Sequence, residues 1–186
     1  MTHVLNVGHL EPQSTIYGPG NRFVIWTQGC TLGCKGCWNE QFWPESGGKQ
    51  WSIDDLVQEI MATKDIEGIT LLGGEPFQQL TAVRELINTV KAHGLTVFLY
   101  TGYEKKEFSE AMWETFHACD IVVTGRYRES LRSTFLQWRG SSNQEVDFPS
   151  PAYHDISPRE VRQVEFHIEN GELRLYGYPT EEERAW

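Results

Sequence analysis

Residues 30–37 read CTLGCKGC and place three cysteines within eight residues, directly after the apolar run from Phe23 to Trp26. Thiolates at the spacing C-x3-C-x2-C are close enough along the chain to converge on one metal centre. A [4Fe–4S] cluster is usually held by four cysteines, so a motif of three leaves one iron open to a ligand that is not protein. Glycines in and beside the stretch let the backbone curl around the sulfurs. The stretch therefore predicts a cluster that a small molecule can chelate.

Two other uses of these cysteines are weighed against the cluster. A structural zinc ion needs four ligands, commonly two C-x2-C pairs, whereas Cys119 stands alone after an apolar helical pattern. Histidines elsewhere leave a zinc site open. Disulfides belong to oxidising compartments, and residues 1–10 lack the basic start and apolar core of a signal peptide. We therefore expect Cys30, Cys34 and Cys37 to bind the metal and Cys119 to be a buried small apolar residue.

The residues around the cysteines resemble one group of a known superfamily. The cysteine spacing is that of the radical S-adenosylmethionine (radical SAM) superfamily. The run from Thr27 to Asn39, followed by Trp43, resembles the glycyl-radical-enzyme activases. Three later runs are most similar to the anaerobic ribonucleotide reductase activating proteins, and they are GGEP at 73–76, YTGY at 100–103 and WRGSSNQ at 138–144. The resemblance covers roughly residues 15 to 147.

This resemblance implies the cofactors and the reaction. A [4Fe–4S] cluster would bind S-adenosylmethionine (SAM) through the amino and carboxylate groups of SAM. Reductive cleavage would give methionine and a 5′-deoxyadenosyl radical, which abstracts hydrogen from a glycine of a partner glycyl radical enzyme of the class III anaerobic ribonucleotide reductase type. A flavodoxin or ferredoxin-type protein is the expected electron donor. Because the radical is generated on SAM, no side chain is expected to act as a catalytic acid or base.

The ends of three predicted strands are expected to supply the SAM contacts. The resemblance assigns Gly73, Gly74 and Glu75 to the methionine amino group of SAM and places Thr101 in the same cofactor-binding set. Arg126 follows a third strand, and we expect it to pair with the SAM carboxylate because a guanidinium binds a carboxylate bidentately.

Two groups of residues beyond these strand ends are expected to contact the cofactor. Trp38 and Asn39 follow the last cysteine and complete the cofactor-binding set, although Trp38 also fits an ordinary core position. The run from Trp138 to Asn143 is expected to offer hydrogen-bond donors and a stacking plane.

Composition and charge narrow the function classes. The chain has 186 residues, enough for one domain with a proper core. Acidic residues outnumber basic residues by 26 to 16, and this excess disfavours nonspecific nucleic-acid binding. No apolar run approaches the ~20 residues of a membrane span. We therefore expect a cytoplasmic protein with neither nucleic-acid nor membrane partners.

The order of the predicted elements indicates an α/β fold. Strands are predicted at 22–27, 68–72, 95–100 and 121–123, and helices from Ser52, over 81–93 and over 104–117 alternate with them. Right-handed crossovers then give a parallel sheet. The chain is too short for eight units, which typically take ~250 residues, so a partial (β/α) barrel of the radical SAM type is predicted.

The C-terminal part is expected to be an extension of the same domain. Residues 1–150 are assigned to the barrel, and 151–186 to a linker with a β-hairpin that extends the sheet or covers its edge. This prediction rests on alternating apolar residues from 161 to 168, on the Asn-Gly pair at 170–171 and on a charged end at 181–184. Short activases end before this segment, and part of it is also a candidate docking surface for the partner.

Three alternative functions remain for these residues. The first is a radical SAM enzyme acting on another peptide or a small molecule, because the hairpin departs from the short activases. The second is a non-enzymatic iron–sulfur electron carrier, which would need neither an open iron nor a Gly-Gly-Glu strand end. The third is a zinc-stabilised interaction domain. A SAM-cleavage assay after anaerobic reconstitution would separate the enzymes from the carrier and the zinc domain.

Overall fold

The computed structural model describes residues 3–169, 171–180 and 182. Within them the chain forms three α-helices, which are α1 Ile53–Ala62, α2 Leu80–Ala92 and α3 Glu110–Ala118. The strands are β1 Val4–Ser14, β2 Arg22–Thr27, β3 Lys49–Ser52, β4 Gly68–Gly73, β5 Thr96–Thr101, β6 Ile121–Thr124, β7 Glu145–Asp147, β8 Val164–Glu169 and β9 Glu172–Gly177. In this part of the chain, no helix combines the length and the apolar character needed to cross a membrane.

Seven of the strands form one sheet in the order β3-β1-β2-β4-β5-β6-β7. The central strands β2, β4, β5 and β6 are parallel, and α1, α2 and α3 connect them in turn. The outer strands β1, β3 and β7 are antiparallel to their neighbours. The predicted α/β fold with an incomplete (β/α) barrel is confirmed, since the sheet ends at β3 and β7 instead of closing.

Local hydrogen bonds determine where the helices begin. Ser52 caps α1, because its hydroxyl oxygen accepts a hydrogen bond from the Asp55 amide at 3.1 Å. The prediction that the third helix begins at Glu104 was wrong. A separate 3-10 helix forms first at Lys105–Glu107, and Ser109 then caps α3. Glu104 and Ser109 can each cap a helix and lie five positions apart. The sequence pattern alone does not show at which of them the α-helix begins.

The larger core lies between the sheet and its three helices. Alternate strand residues such as Phe23, Ile69 and Leu99 are fully buried there, together with apolar residues of α1 and α2. Phe116 of α3 is also buried in this core. Cys119 is fully buried beside it, and its thiol donates to the Thr115 carbonyl at 3.2 Å. Cys119 is therefore the buried small apolar residue that was expected.

The opposite face of the sheet is covered by the C-terminal part of the chain. Val24, Trp26 and Leu72 pack with Tyr176 of β9. Farther along the sheet, Trp138 packs against residues of β5 and β6. Parallel strands that are buried on both faces are near-continuous apolar runs. All six residues of β2 are buried, and the four from Phe23 to Trp26 are apolar.

The predicted hairpin is present as a separate two-stranded sheet of β8 and β9. It neither extends the main sheet nor pairs with its edges, which are β3 and β7. It lies instead against β1, where Ser14 donates to Glu165 at 2.6 Å. Of the predicted turn and charged end, Gly171 and Glu182 are described, whereas Asn170 and the other charged residues lie outside the described residues. The division at residue 150 stays a prediction.

The stretch from 126 to 151 contains a strand that the sequence did not indicate. Residues Glu145–Asp147 form β7 and pair with β6 in antiparallel register. A strand of three residues is too short to show an alternating pattern, so only its pairing identifies it.

Candidate functional site

The cysteine loop begins where β2 ends and closes on itself through backbone hydrogen bonds. The Gly29 amide donates to the Phe42 carbonyl at 2.8 Å, and the Cys30 amide donates to the Trp43 carbonyl at 2.9 Å. These bonds make residues 29–43 one closed loop at the carboxyl end of the parallel strands. That end is where parallel α/β folds build their sites.

The three motif cysteines line one cavity of about 450 Å³ at this edge. Cys30, Cys34 and Cys37 are each partly exposed. The sulfur of Cys37 accepts a hydrogen bond from the Asn39 amide at 3.4 Å. Burial raises the pKa of the Cys30 and Cys34 thiols, so binding a metal there would have to displace protons.

The donor set fits an iron–sulfur cluster better than a single ion. Among the described residues, no three His, Cys, Asp or Glu side chains gather closely enough to hold one metal ion. A four-iron cluster is larger than an ion and holds its thiolates farther apart. Three thiols spread around one cavity are compatible with that spacing, whereas a zinc ion requires four converging ligands.

The end of β4 lies directly against the cysteine loop because two glycines leave room for it. Gly73 has φ +103°, and a Cβ there would lie 2.6 Å from the Cα of Trp26. A Cβ on Gly74 would clash with the carbonyl oxygen of Gly29. The Glu75 amide donates to that same oxygen at 2.9 Å. The predicted Gly-Gly-Glu run thus lines the cavity that the cysteines line.

Glu75 follows β4 and is hydrogen-bonded to the end of the neighbouring parallel strand β5. Its carboxylate accepts hydrogen bonds from the Thr101 hydroxyl at 2.8 Å and from the Gly102 amide at 2.8 Å, both at the end of β5. It also accepts from the Phe77 amide at 2.9 Å. Glu75 is 1% exposed, and this burial raises its pKa to about 7. Thr101 lines the same cavity.

Arg126 lies beside this site but is already paired. Its guanidinium makes a bidentate ion pair with the Glu107 carboxylate, one arm of which spans 2.9 Å. It also donates to the Gly102 carbonyl at 3.0 Å. Glu107 raises the pKa of Arg126, and Arg126 lowers the pKa of Glu107. Arg126 is not among the residues that line the cavity, so a carboxylate ligand would have to compete with Glu107.

Trp38 and Asn39, which were predicted to bind the cofactor, both line the cavity. The indole of Trp38 lies 5.4 Å from the ring of Tyr178 and 5.1 Å from the guanidinium of Arg132. Trp138, which was expected to offer a stacking plane, is buried against Phe98 outside the cavity. Of the run 138–144, Gly140 and Gln144 line the cavity.

The structure adds an aromatic wall that the sequence did not predict. His9, Trp26 and Tyr100 contribute to it from the sheet, and Tyr176 and Tyr178 contribute from the hairpin. The His9 ring nitrogen and the Tyr176 hydroxyl lie 2.8 Å apart. A cluster of tyrosines near the C-terminus was the available signal, but nothing in its spacing indicates what it packs against.

One protein-family model matches most of the chain. The family model described as a 4Fe-4S single cluster domain matches residues 16–147. This range includes the three cysteines, the Gly-Gly-Glu run and Arg126. The hairpin of β8 and β9 lies outside it.

Two groups of curated relatives are similar to the chain. The anaerobic ribonucleoside-triphosphate reductase-activating protein of Escherichia coli K12 is 29% identical over 150 residues, which cover 76% of this chain and 97% of that protein. Its counterpart from Haemophilus influenzae is 31% identical over 150 residues, with 75% and 96% covered. The pyruvate formate-lyase 1-activating enzyme of Escherichia coli K12 is 28% identical over 128 residues, with 66% of this chain and 52% of that protein covered.

Proposed function

We propose a glycyl-radical-generating function for this chain, which belongs to the 4Fe-4S single cluster domain family and is a radical SAM activating enzyme. Its cofactors are a [4Fe–4S] cluster and SAM. The proposed substrate is a glycine of a partner enzyme of the class III anaerobic ribonucleotide reductase type, from which hydrogen is abstracted. The name of the relatives in Escherichia coli and Haemophilus influenzae supports this partner.

One observation carries the proposal. Cys30, Cys34 and Cys37 line the same cavity as Gly73, Gly74 and Glu75, although Cys37 and Gly73 are 36 positions apart in the chain. When bound, the cluster and SAM supply the reductive cleavage of SAM to methionine and a 5′-deoxyadenosyl radical. The protein has to hold three thiolates, bind the polar end of SAM and exclude water.

The residues of the cavity are suited to these tasks. The three cysteines would ligate the cluster. Glu75, held by the end of β5, would provide negative charge for the SAM ammonium group. Thr101 keeps the carboxylate of Glu75 oriented through its 2.8 Å hydrogen bond. The aromatic wall would keep the cavity dry, and Trp38 and Asn39, which also line the cavity, would contact the remainder of SAM.

Arg126 is proposed to release Glu107 and to bind the SAM carboxylate in its place. Its guanidinium lies at the end of β5, bonded to the Gly102 carbonyl next to Thr101. Because Glu107 is exposed, releasing it into water has a small cost. The guanidinium of Arg126 would then donate two parallel hydrogen bonds to the SAM carboxylate.

An electron donor and a cellular setting complete the proposal. The donor is proposed to be a flavodoxin or a ferredoxin-type protein, because reductive cleavage requires single electrons that the chain does not supply. A cytoplasmic setting is proposed because the thiols that bind the cluster have to stay reduced.

Anaerobic reconstitution tests the function directly. Protein loaded with iron and sulfide is mixed with dithionite, SAM and the anaerobic ribonucleoside-triphosphate reductase of the same organism. We expect 5′-deoxyadenosine and a glycyl radical signal in the electron paramagnetic resonance spectrum of the reductase. The Cys34→Ala variant serves as the control and should give neither. SAM cleavage without any radical on the reductase would refute the proposed partner, and no SAM cleavage would refute the enzyme.

One observation favours a second candidate function. Tyr176 of the hairpin and Tyr178 directly after it line the cavity, whereas the hairpin lies outside the residues that the family model matches. A cavity with such an added wall suits a small-molecule or short-peptide substrate of a different radical SAM enzyme. Formation of 5′-deoxyadenosine in the presence of a small-molecule cell extract, with no glycyl radical formed on the reductase, would support this second function.

A further inference from the structure

The C-terminal hairpin turns its apolar side away from the barrel. In the register of β8 and β9, Phe166 lies opposite Leu175 and Ile168 lies opposite Leu173. Directly opposed residues project to the same side of a sheet, so these four side chains share one face. Phe166, Ile168 and Leu173 are 57%, 78% and 52% exposed. These four residues are called the outer apolar face below.

The other side of the hairpin is polar and binds the barrel. The Ser14 hydroxyl donates to Glu165 at 2.6 Å, and His167 lies 3.3 Å from the Glu11 carboxylate. Tyr176 on the same side packs in the barrel interior. A shift of one residue in register would reverse both sides. The contacts with β1 therefore hold the hairpin so that its apolar side remains uncovered.

The outer apolar face begins at the cavity. Leu175 lines the cavity together with the cysteines. Its neighbour across the hairpin is Phe166, and the next opposed pair toward the turn is Leu173 with Ile168. The face is thus continuous from the rim of the site to the end of the hairpin. Contiguous exposed apolar surface of this kind marks protein contacts in otherwise polar surfaces.

We propose that the outer apolar face is a docking surface for the glycyl radical enzyme and receives an apolar segment beside the reacting glycine. This inference rests on the proposed function. The occupant follows from the continuity of the face with the cavity. Hydrogen abstraction requires near-contact geometry, so the glycine has to enter the cavity and the chain that carries it has to cross the rim. Leu175 forms part of that rim. A small substrate would lie inside the cavity and leave the face uncovered.

The test is a pair of serine variants in the reconstituted enzyme. The double variant Phe166→Ser with Ile168→Ser removes two side chains of the face. The control Met61→Ser removes a side chain of similar exposure, 44%, from α1 on the other side of the sheet. Affinity for the anaerobic reductase is measured by anaerobic biolayer interferometry, and SAM cleavage is measured without the reductase. We expect the double variant to bind at least about 10-fold more weakly, as for central apolar contacts of an interface. SAM cleavage without the reductase should not change in either variant.

The outcomes separate this inference from the function on which it rests. If the wild type activates the reductase and the double variant binds the reductase with an affinity within twofold of wild type, the inference is overturned and the proposed function stands. If the double variant turns a wild-type dimer into a monomer with unchanged reductase affinity, the face binds a second copy, and the inference is again overturned. A wild type that cleaves SAM but neither binds nor activates the reductase removes the proposed partner and this inference together. Should the double variant fold poorly, the single variant Ile168→Lys provides the same comparison.

Discussion

The hydroxyl oxygens of Tyr100 and Tyr178 lie 3.2 Å apart, within hydrogen-bonding distance. Tyr100 belongs to β5, and Tyr178 directly follows β9. Burial raises the pKa of both phenols, so both stay neutral at physiological pH. Tyr178 also lies against Trp38 of the cysteine loop. The hairpin is therefore fastened to the strand end and to the loop that would hold the cluster, and it forms part of the site wall.

The two sides of the hairpin are expected to contribute very differently to stability. Tyr176→Ala should lower the free energy of unfolding by about 3 kcal/mol or more, because it leaves a cavity beside Trp26 and Leu72. Ile168→Ala, on the outer apolar face, should change it by less than about 0.5 kcal/mol. Urea unfolding of both variants measures the difference. A larger loss for Ile168→Ala would show that the hairpin docks with its other side.

Loss of any one motif cysteine is expected to abolish the cluster. Replacing Cys30, Cys34 or Cys37 with Ala leaves too few thiolates, so the visible absorbance, the iron content and SAM cleavage should all fall to background. Cys119→Ala is the matched control, because Cys119 is buried in the core away from the cavity. The assignment is wrong if Cys119→Ala loses the cluster and Cys34→Ala keeps it.

The raised pKa of Glu75 predicts a pH-dependent stability of the protein without cluster. The ordinary value is 4.5, and burial raises it to about 7. Between these values the folded protein keeps a proton that the unfolded chain has released, so the free energy of unfolding should fall as pH rises from about 4.5 to 7. The full loss is on the order of 3 kcal/mol.

The variant Glu75→Gln should flatten this pH dependence, because glutamine does not titrate. Urea unfolding at several pH values from 5 to 8 measures the slope. Glu110→Gln, at an exposed carboxyl group of α3, is the control and should keep the wild-type slope. Equal slopes for wild type and Glu75→Gln would contradict the assignment of the titration to Glu75.

The ion pair of Arg126 with Glu107 predicts opposite effects on SAM affinity. Arg126→Ala removes a charge-assisted contact and should weaken SAM binding by about 10- to 100-fold, with normal iron content. Glu107→Gln removes the competing carboxylate and should tighten SAM binding by up to about fivefold, the range of an exposed ion pair. Calorimetric titration of the reconstituted variants gives both values. If both variants bind SAM as the wild type does, the SAM carboxylate lies elsewhere.

The sequence by itself determined the features that are local or periodic. The cysteine spacing lies within eight residues, so no tertiary contact is needed to recognise it. Helix periodicity and apolar strands gave the order of β2, α1, β4, α2, β5, α3 and β6, because burial on one or both faces leaves a pattern along the chain. The sequence also predicts that the ends of β4 and β5 converge, since the carboxyl ends of parallel strands meet at one edge of a sheet. These ends carry Gly73, Gly74, Glu75 and Thr101.

Only the tertiary structure decided which residues meet across long separations. The pairing of Arg126 with Glu107 satisfies a guanidinium that the sequence had left available for a ligand. The position of the hairpin depends on polar contacts of Glu165 and His167 with β1, and alternation within the hairpin cannot choose which side faces the barrel. The contact of Tyr100 with Tyr178 joins residues 78 positions apart. Such contacts form because folding brings complementary surfaces together, and they leave no periodic signal in the chain.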